Sequence, residues 1–304
     1  VAAGRFAPSP TGPLHVGNLR TALLAWLFAR SSGSRFLVRV EDLSPHPEAR
    51  AHEAQHLADL AALGLDWDGP VVRQSERRAR HEEVLAELTE RGLTYPCFCT
   101  RREIAEAAEA PHGQPPGSYP GTCRDLPARR RSELEAQGRP AALRLRSDGR
   151  AVSVEDRLHG TVTAVVDDLV LRRNDGVPAY SLAVVVDDAD QGVEEVVRGD
   201  DLLSSTPRQA HLADLLALPR PAWAHVPLVL GPDGERLAKR HGAVTLADLA
   251  GHGVGPGGLL SEMAASLGLA APDEPVTAAE LVARFDPARL PLAPWTYPPI
   301  ATGG

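Results

Sequence analysis

The opening stretch narrows the fold more than any other feature. Residues 4–7 have the character of a strand, and Pro8-Ser9-Pro10-Thr11-Gly12-Pro13 stops it, because proline removes a backbone donor and restricts its neighbour. Leu14-His15-Val16-Gly17-Asn18 then leads into a run in which Leu19, Ala22, Leu23, Trp26 and Leu27 repeat with the spacing of one helical face. Asn18 reads as the helix N-cap and Gly33 as the residue past its end. Strand, tight turn and helix together begin an α/β domain, and the helix N-terminus turns free N–H groups and a positive dipole end toward the turn. That suits a phosphate. No Walker loop and no G-x-G-x-x-G is present, so the common nucleotide fingerprints are absent. His15, just ahead of the helix, is either an ordinary turn residue or a phosphate contact.

A second strand is expected over 35–40, ending at Glu41-Asp42. Ligands of open α/β sheets lie beyond the carboxyl ends of the strands, so Arg5 and Glu41 can converge on one crevice. Otherwise Glu41 is a solvated strand end. Amphipathic helices over 48–63 and 77–91, closed by Gly64 and Gly92, are scaffold. Further on, 168–172 and 181–188 read as strands, the second so continuously apolar that both its faces should be buried. Another strand over 194–197 delivers Arg198-Gly199-Asp200-Asp201 to its end. Helices are expected near 245–250, 257–267 and 277–285.

Two scarce residue types carry the remaining chemistry. The three cysteines fall at 97, 99 and 123, an odd number that argues against a disulfide framework and for a metal or a reducing compartment. Three thiolates plus one harder ligand form a closed site that suits Zn²⁺ and leaves no open position, hence a structural role in a loop-rich insertion. Spacing leaves Tyr119 and His112 as equal candidates for the fourth ligand. Three buried cysteines without metal are the plainer alternative. Of the 32 basic residues, all but Lys239 are arginine. A lysine is a compact charge on a flexible stem, able to follow a phosphate whose charge is moving, where arginine is a planar fork. Lys239 follows the turn Gly231-Pro232-Asp233-Gly234, in what should be a mobile loop. The net charge of −8 gives no general attraction to nucleic acid, so any RNA surface must be local. Arg124, Arg129, Arg130 and Arg131 are the densest basic cluster, either a solvated helix face or a phosphate contact. No apolar run reaches membrane-spanning length and the first residues lack a signal-peptide pattern, so a cytoplasmic location without a membrane partner is expected.

Arg5-Phe6-Ala7-Pro8-Ser9-Pro10-Thr11-Gly12, His15-Val16-Gly17-Asn18 and Arg236-Leu237-Ala238-Lys239-Arg240 resemble the motifs of class I aminoacyl-tRNA synthetases of the glutamyl branch. The second set stands at the family's "HIGH" position and the third at its "KMSKS" position, and the likeness continues through most of 4–245. Asn18 stands in place of the second histidine; Arg236 and Ala238 replace the loop's first lysine and first serine. The resemblance implies an α/β fold: a Rossmann-like class I synthetase catalytic domain with a zinc-bearing insertion and a short helical C-terminal region. Its expected division is 1–95 and 167–235 for the two catalytic halves, 96–166 for the insertion, and 236–304 for the lysine loop and helical region. It assigns Arg5, Phe6, Ala7, Pro8, Ser9, Glu41, Tyr180 and Arg198 to glutamate, and His15, Gly17, Asn18 and Lys239 to ATP, with His15 and Lys239 catalytic. Mg²⁺ would accompany ATP. The pattern Cys97, Cys99, Tyr119 and Cys123 resembles the zinc ligands of glutamyl-Q tRNA(Asp) synthetases, which favours Tyr119 over His112. The short tail of about 60 residues after Lys239, with no room for an anticodon-reading domain, points with that ligand pattern to the shortened branch and away from a full glutamyl-tRNA synthetase. The implied activity is activation of glutamate without tRNA and its transfer to queuosine in the anticodon loop of tRNA(Asp) by a monomer. The competing expectations are the catalytic half of a glutamyl-tRNA synthetase, an idle tRNA-binding paralogue, and an adenylate-forming ligase for small molecules.

Overall fold

The computed structural model describes residues 2–100, 102–104, 119–242 and 244–298, with the Lys239 side chain outside that set. Strands β1 (Ala3–Phe6), β2 (Arg35–Val40) and β3 (Val72–Arg73) run parallel on one side of a seven-stranded sheet. The chain then crosses to the other side, where β9 (Val193–Gly199) lies parallel to β1 and β10 (Ala222–Val226) parallel to β9. The strand order therefore reverses between β1 and β9, the place where a doubly wound sheet opens a crevice. The antiparallel pair β6 (Ala151–Asp156) and β7 (Gly160–Val165) extends the far edge. Those residues were expected in the insertion, and their hydrogen bonds instead join them to the main sheet.

Helices cover both faces. Helix α1 (Val16–Ser31) was expected to bury one face, but Leu19, Leu23 and Leu27 on that face are joined in the interior by Leu24, Ala25, Phe28 and Arg20. The reason lies far along the chain. Helices α8 (Pro256–Ser266) and α9 (Ala278–Arg284) lie on the outer side of α1 and place Leu259, Met263 and Leu281 in the same core, with Phe28 edge-on to Phe285. A shorter helix, α7 (Leu246–Ala250), precedes them. Helix α2 (Ala49–Ala62) adds Leu60 to the α1 core, and the opposite face is packed by α3 (Arg78–Glu90), α5 (Tyr180–Asp190) and α6 (Thr206–Leu215), through Leu88, Leu182, Val186 and Leu212.

Helix α5 overturns the strand expected over 181–188. A short run of valine and leucine has no periodicity that separates a buried strand from a buried helix. Here the helical form lets Asp187 and Asp188 both turn inward, where His81, Arg77, Arg5 and Arg39 receive them. Gly192, with φ of 67°, ends the turn. A second small sheet, β4 (Thr94–Cys97), β5 (Ala142–Leu145) and β8 (Val170–Arg172), is antiparallel and carries the cysteines together with α4 (Ala128–Ala136). Strands β11 (Val229–Leu230) and β12 (Trp295–Thr296) pair beside α1. No described helix is long and apolar enough to cross a membrane.

Candidate active site

A cavity of about 610 Å³ opens at the carboxyl ends of β1 and β9, the switch point of the sheet. Arg5, Phe6, Ala7, Pro8 and Ser9 line it from the end of β1, Glu41 from beyond β2, Tyr180 from the first turn of α5 and Arg198 from β9. His15, Gly17 and Asn18 line it from the start of α1, and Arg236 from the lysine loop. These residues span more than two hundred positions of chain and meet in one crevice. Among the expected site residues, only the head of Lys239 is not placed, since that side chain lies outside the described residues.

The helix start differs from the expected one. His15, not Asn18, is the N-cap: its Nδ1 accepts the Asn18 N–H at 3.3 Å, and Asn18 Oδ1 accepts the His15 N–H at 3.2 Å. This is a capping box built from an imidazole and an amide. It fixes the tautomer of the neutral ring, leaving Nε2–H as a donor. Burial, with the nearby Arg236 charge, drops the His15 pKa to about 4, so at neutral pH the ring donates a hydrogen bond without carrying charge. Gly17 is needed because a Cβ there would stand 3.0 Å from the imidazole.

Two arginines and one carboxylate dominate the electrostatics. Arg5 Nε is 3.2 Å from Asp188, and Nη1 donates to the Val197 carbonyl at 3.3 Å. Asp188 also receives the buried Arg39 at 2.7 Å. Although burial works against its charge, these two guanidinium groups hold the Asp188 carboxyl below the usual range. Arg198 donates from Nη1 to Tyr180 Oη at 3.2 Å and from Nη2 to Thr206 Oγ1 at 2.8 Å, and has no carboxylate partner among the described residues. Glu41 sits opposite, with Ser9 Oγ 3.5 Å away. Desolvation outweighs the pull of Arg39 and Arg5 and pushes Glu41 up to about 7. Two guanidinium groups and one carboxylate around a cavity of this size complement a small molecule with two carboxylates and one ammonium.

The lysine loop closes the other wall. A hairpin through Gly234 (φ 78°) returns Glu235, whose carbonyl accepts the Gly231 N–H at 2.7 Å. His241 braces it: Nδ1 accepts the Ala238 N–H at 3.0 Å, Nε2 meets Asp233 at 2.9 Å, and the ring lies where any Cβ on Gly231 would fall. Lys239 opens the short turn Lys239–His241, and Arg236 is tied to Asp201 across the mouth at 2.8 Å. The Val16 N–H donates to the Val244 carbonyl at 2.8 Å, and His15 bridges Thr245, so the loop's exit is stitched to the start of α1. The backbone that carries Lys239 is thus anchored beside His15.

The three thiols form a second site, all within 4.8 Å of one another. Tyr119 Oη lies 3.3 Å from Cys97 Sγ and 3.9 Å from Cys99 Sγ. His112 lies outside the described residues. Burial and the neighbouring Cys97 push the Cys99 thiol up to about 12, whereas Cys97, despite burial, is held below its usual value by Tyr119 and by Arg144. Thiols set against each other in this way suit a cation between them. Three of the four arginines of the basic cluster are engaged with protein: Arg124 reaches Asp168 at 2.6 Å, and Arg129 and Arg130 pair with Glu133 along α4.

Comparison with known proteins agrees with this geometry. Residues 2–296 match the family described as tRNA synthetases class I (E and Q), catalytic domain. The chain is 64% identical over 294 residues to the glutamyl-Q tRNA(Asp) synthetase of Nocardia farcinica, covering 96% of this chain and 92% of that one. The chain belongs to the glutamyl-Q tRNA(Asp) synthetases. Another member, from Symbiobacterium thermophilum, is 47% identical across 97% of this chain and 95% of its own length. A glutamate–tRNA ligase of Azorhizobium caulinodans is 46% identical over 79% of this chain but only 51% of the ligase. Among solved structures, a glutamate tRNA ligase from Elizabethkingia meningosepticum, in complex with its amino acid, superposes with a TM-score of 0.83 at 28% identity, over 98% of this chain and 67% of that one. The class I tRNA synthetase fold expected from the motifs is the fold observed. Sequence reasoning missed the groups behind the cavity wall, Asp188, Thr206, His225 and Asp156. Asp188 and Thr206 stand in stretches that resemble the family, with no signal there of a role, and His225 and Asp156 stand in none; their relation exists only across the sheet.

Proposed function

We propose that the chain condenses glutamate with ATP to glutamyl-adenylate and passes the glutamyl group to queuosine in the anticodon loop of tRNA(Asp), with AMP as the leaving group. The α-carboxylate of glutamate attacks the α-phosphate of ATP; a carboxylate–phosphate bond forms and pyrophosphate leaves with the bridging electron pair. The nucleophile is already ionised, so no general base is required, and catalysis consists of positioning and of neutralising phosphate charge. In this reading Arg5 and Arg198 receive the carboxylates of glutamate, Tyr180 shapes the pocket, and Glu41 receives the ammonium. Phe6, Ala7, Pro8 and Ser9 supply the wall. His15 donates through Nε2 to a phosphate, aided by the N–H groups at the start of α1 near Gly17 and Asn18. Lys239 approaches the phosphates from the opposite wall. Mg²⁺ accompanies ATP and offsets the charge of the leaving pyrophosphate when bound.

Cys97, Cys99, Tyr119 and Cys123 would hold a structural Zn²⁺, which supplies the positive charge that lets several sulfurs be thiolates together. The module they anchor, within 96–166, is proposed to lie against the tRNA. The observation that carries the whole reading is the gathering of Arg5, Glu41, Arg198 and His15 on one cavity at the switch point. The name borne by the Nocardia farcinica relative supports the acceptor.

Glutamate-dependent ATP–pyrophosphate exchange without tRNA, followed by labelling of tRNA(Asp) with and without queuosine, tests it. Exchange with glutamate alone and labelling only of the queuosine-bearing tRNA are expected. Absence of exchange overturns the enzymatic reading, and exchange that requires tRNA(Glu) points to glutamyl-tRNA synthesis instead.

A further inference from the structure

Arg198 is a buried guanidinium, 5% exposed, whose Nε donates to an imidazole rather than to a carboxylate: His225 Nε2 accepts at 2.9 Å. An imidazole nitrogen accepts only when unprotonated, so the ring's hydrogen is on Nδ1. There it meets Asp156 Oδ2 at 2.6 Å. Asp156 is itself fixed, accepting the backbone N–H groups of His225 at 3.1 Å and of Leu158 and His159 at 3.0 Å. The three side chains come from β9, β10 and β6, adjacent strands of the sheet, with Arg198 and His225 directly paired in register. His225 is fully buried and Asp156 4% exposed. Burial, reinforced by the Arg198 charge and opposed by Asp156, keeps the imidazole below its ordinary pKa and neutral.

We infer that His225 and Asp156 are positioning residues that aim the Arg198 guanidinium at a carboxylate of the substrate while leaving its charge unspent. This rests on the reading of the crevice as a glutamate pocket. The physical reason lies in the choice of partner. A carboxylate placed directly on Arg198 would orient it equally well but would compete with the substrate for the same positive charge. A neutral imidazole accepts one N–H and sets the plane of the fork without neutralising it. Asp156 holds the tautomer from one ring's width further away, as the buried carboxylate of a catalytic triad does for its histidine. Tyr180 and Thr206 engage other N–H groups of the fork, and one Nη1 hydrogen is left without a partner among the described residues.

Glutamate-dependent ATP–pyrophosphate exchange in the full chain tests the inference, with each variant checked for folding by its circular dichroism and unfolding midpoint. His225→Met fills the same space without a comparable acceptor, and should raise the glutamate KM about tenfold while the ATP KM and kcat stay within about threefold. His225→Gln, able to accept from Arg198 and donate to Asp156, should recover most of that loss. Asp156→Asn frees the tautomer and should raise the glutamate KM by roughly fivefold without changing core volume. The decisive comparison pairs His225→Met with Arg198→Gln. If His225 acts through Arg198, its substitution adds less than about twofold once Arg198 is gone. An unchanged glutamate KM in His225→Met, or a full multiplicative loss in the double variant, overturns the inference. If the unaltered protein shows no glutamate-dependent exchange, it is the glutamate-pocket reading that has failed, whatever the variants do.

Discussion

Glu41 pairs with an ammonium only when it is ionised, and the crevice holds its carboxyl at about 7, by desolvation first and despite the nearby arginines. The sign follows directly. Below that value the group is neutral and offers no charge; above it the full attraction is present. The glutamate KM should therefore fall by roughly tenfold as pH rises from about 6 to about 8, and Glu41→Gln should give a high, flat profile across the same window. His15, at about 4, stays neutral throughout and adds no slope of its own. A glutamate KM indifferent to pH in the unaltered protein would remove Glu41 from the ammonium site. Lys239 sits at the other end of the reaction. Its partner is the moving phosphate charge, so Lys239→Ala should lower kcat for exchange by on the order of a hundredfold while the glutamate KM stays within about threefold. Equal kcat in the variant would contradict the role. Most residues with such roles were legible in the sequence, because each lies in a short motif at a strand end or helix start. Asp188, His225 and Asp156 were not, since nothing local distinguishes an aspartate that backs a guanidinium from one on the surface.

At the scale of elements, the start of α1 shows how a fold spends stability on chemistry. Glycine in a helix interior costs about 1 kcal/mol relative to alanine, and Gly17 is the second residue of α1. Gly17 is nevertheless present, because a Cβ would stand 3.0 Å from the His15 ring. Gly17→Ala should thus leave thermal stability unchanged or slightly raised, while turning the imidazole and lowering kcat/KM for ATP by about tenfold or more. Stability and activity lost together would mean that the glycine serves the helix alone. The sequence placed this helix but began it at Asn18, because histidine is an unusual N-cap; the reciprocal bonds of His15 and Asn18 make it one. It placed α2, α3 and the three C-terminal helices to within a few residues, since each has clear apolar spacing and a capping or glycine signal. It failed at α5. Leu182 to Val186 satisfy a buried strand and a buried helix equally, and the choice rests on Asp187 and Asp188, whose partners His81, Arg77, Arg5 and Arg39 come from other elements. Tertiary charge pairing decided what propensity left open.

Across the whole molecule, the two faces of the main sheet have separate cores, while Tyr95, Cys97, Phe98, Tyr119, Cys123 and Leu134 make a third, small one. Buried ion pairs join the two sides of that sheet, alongside the pairing of β1 with β9. Asp188 on α5 holds Arg5 of β1 and Arg39 of β2, so Asp188→Asn, which leaves two buried guanidinium groups under-paired, should cost on the order of 3 kcal/mol and raise the glutamate KM through Arg5. Chemical denaturation and exchange kinetics on the same sample measure both. The small core is another matter. It is too little to stand without a cross-link, and its thiols and phenol are the groups a cation would join. Yet none of the described residues between 97 and 134 lines the cavity. If the module holds Zn²⁺ and serves the tRNA, and the cavity serves adenylation, treating the full chain with a chelator should abolish glutamyl transfer to tRNA while glutamate-dependent exchange falls by less than about threefold. Restoring Zn²⁺ should restore transfer. Parallel loss of both activities would show that the cysteine core supports the catalytic sheet itself, and that the two sites share one stability rather than two.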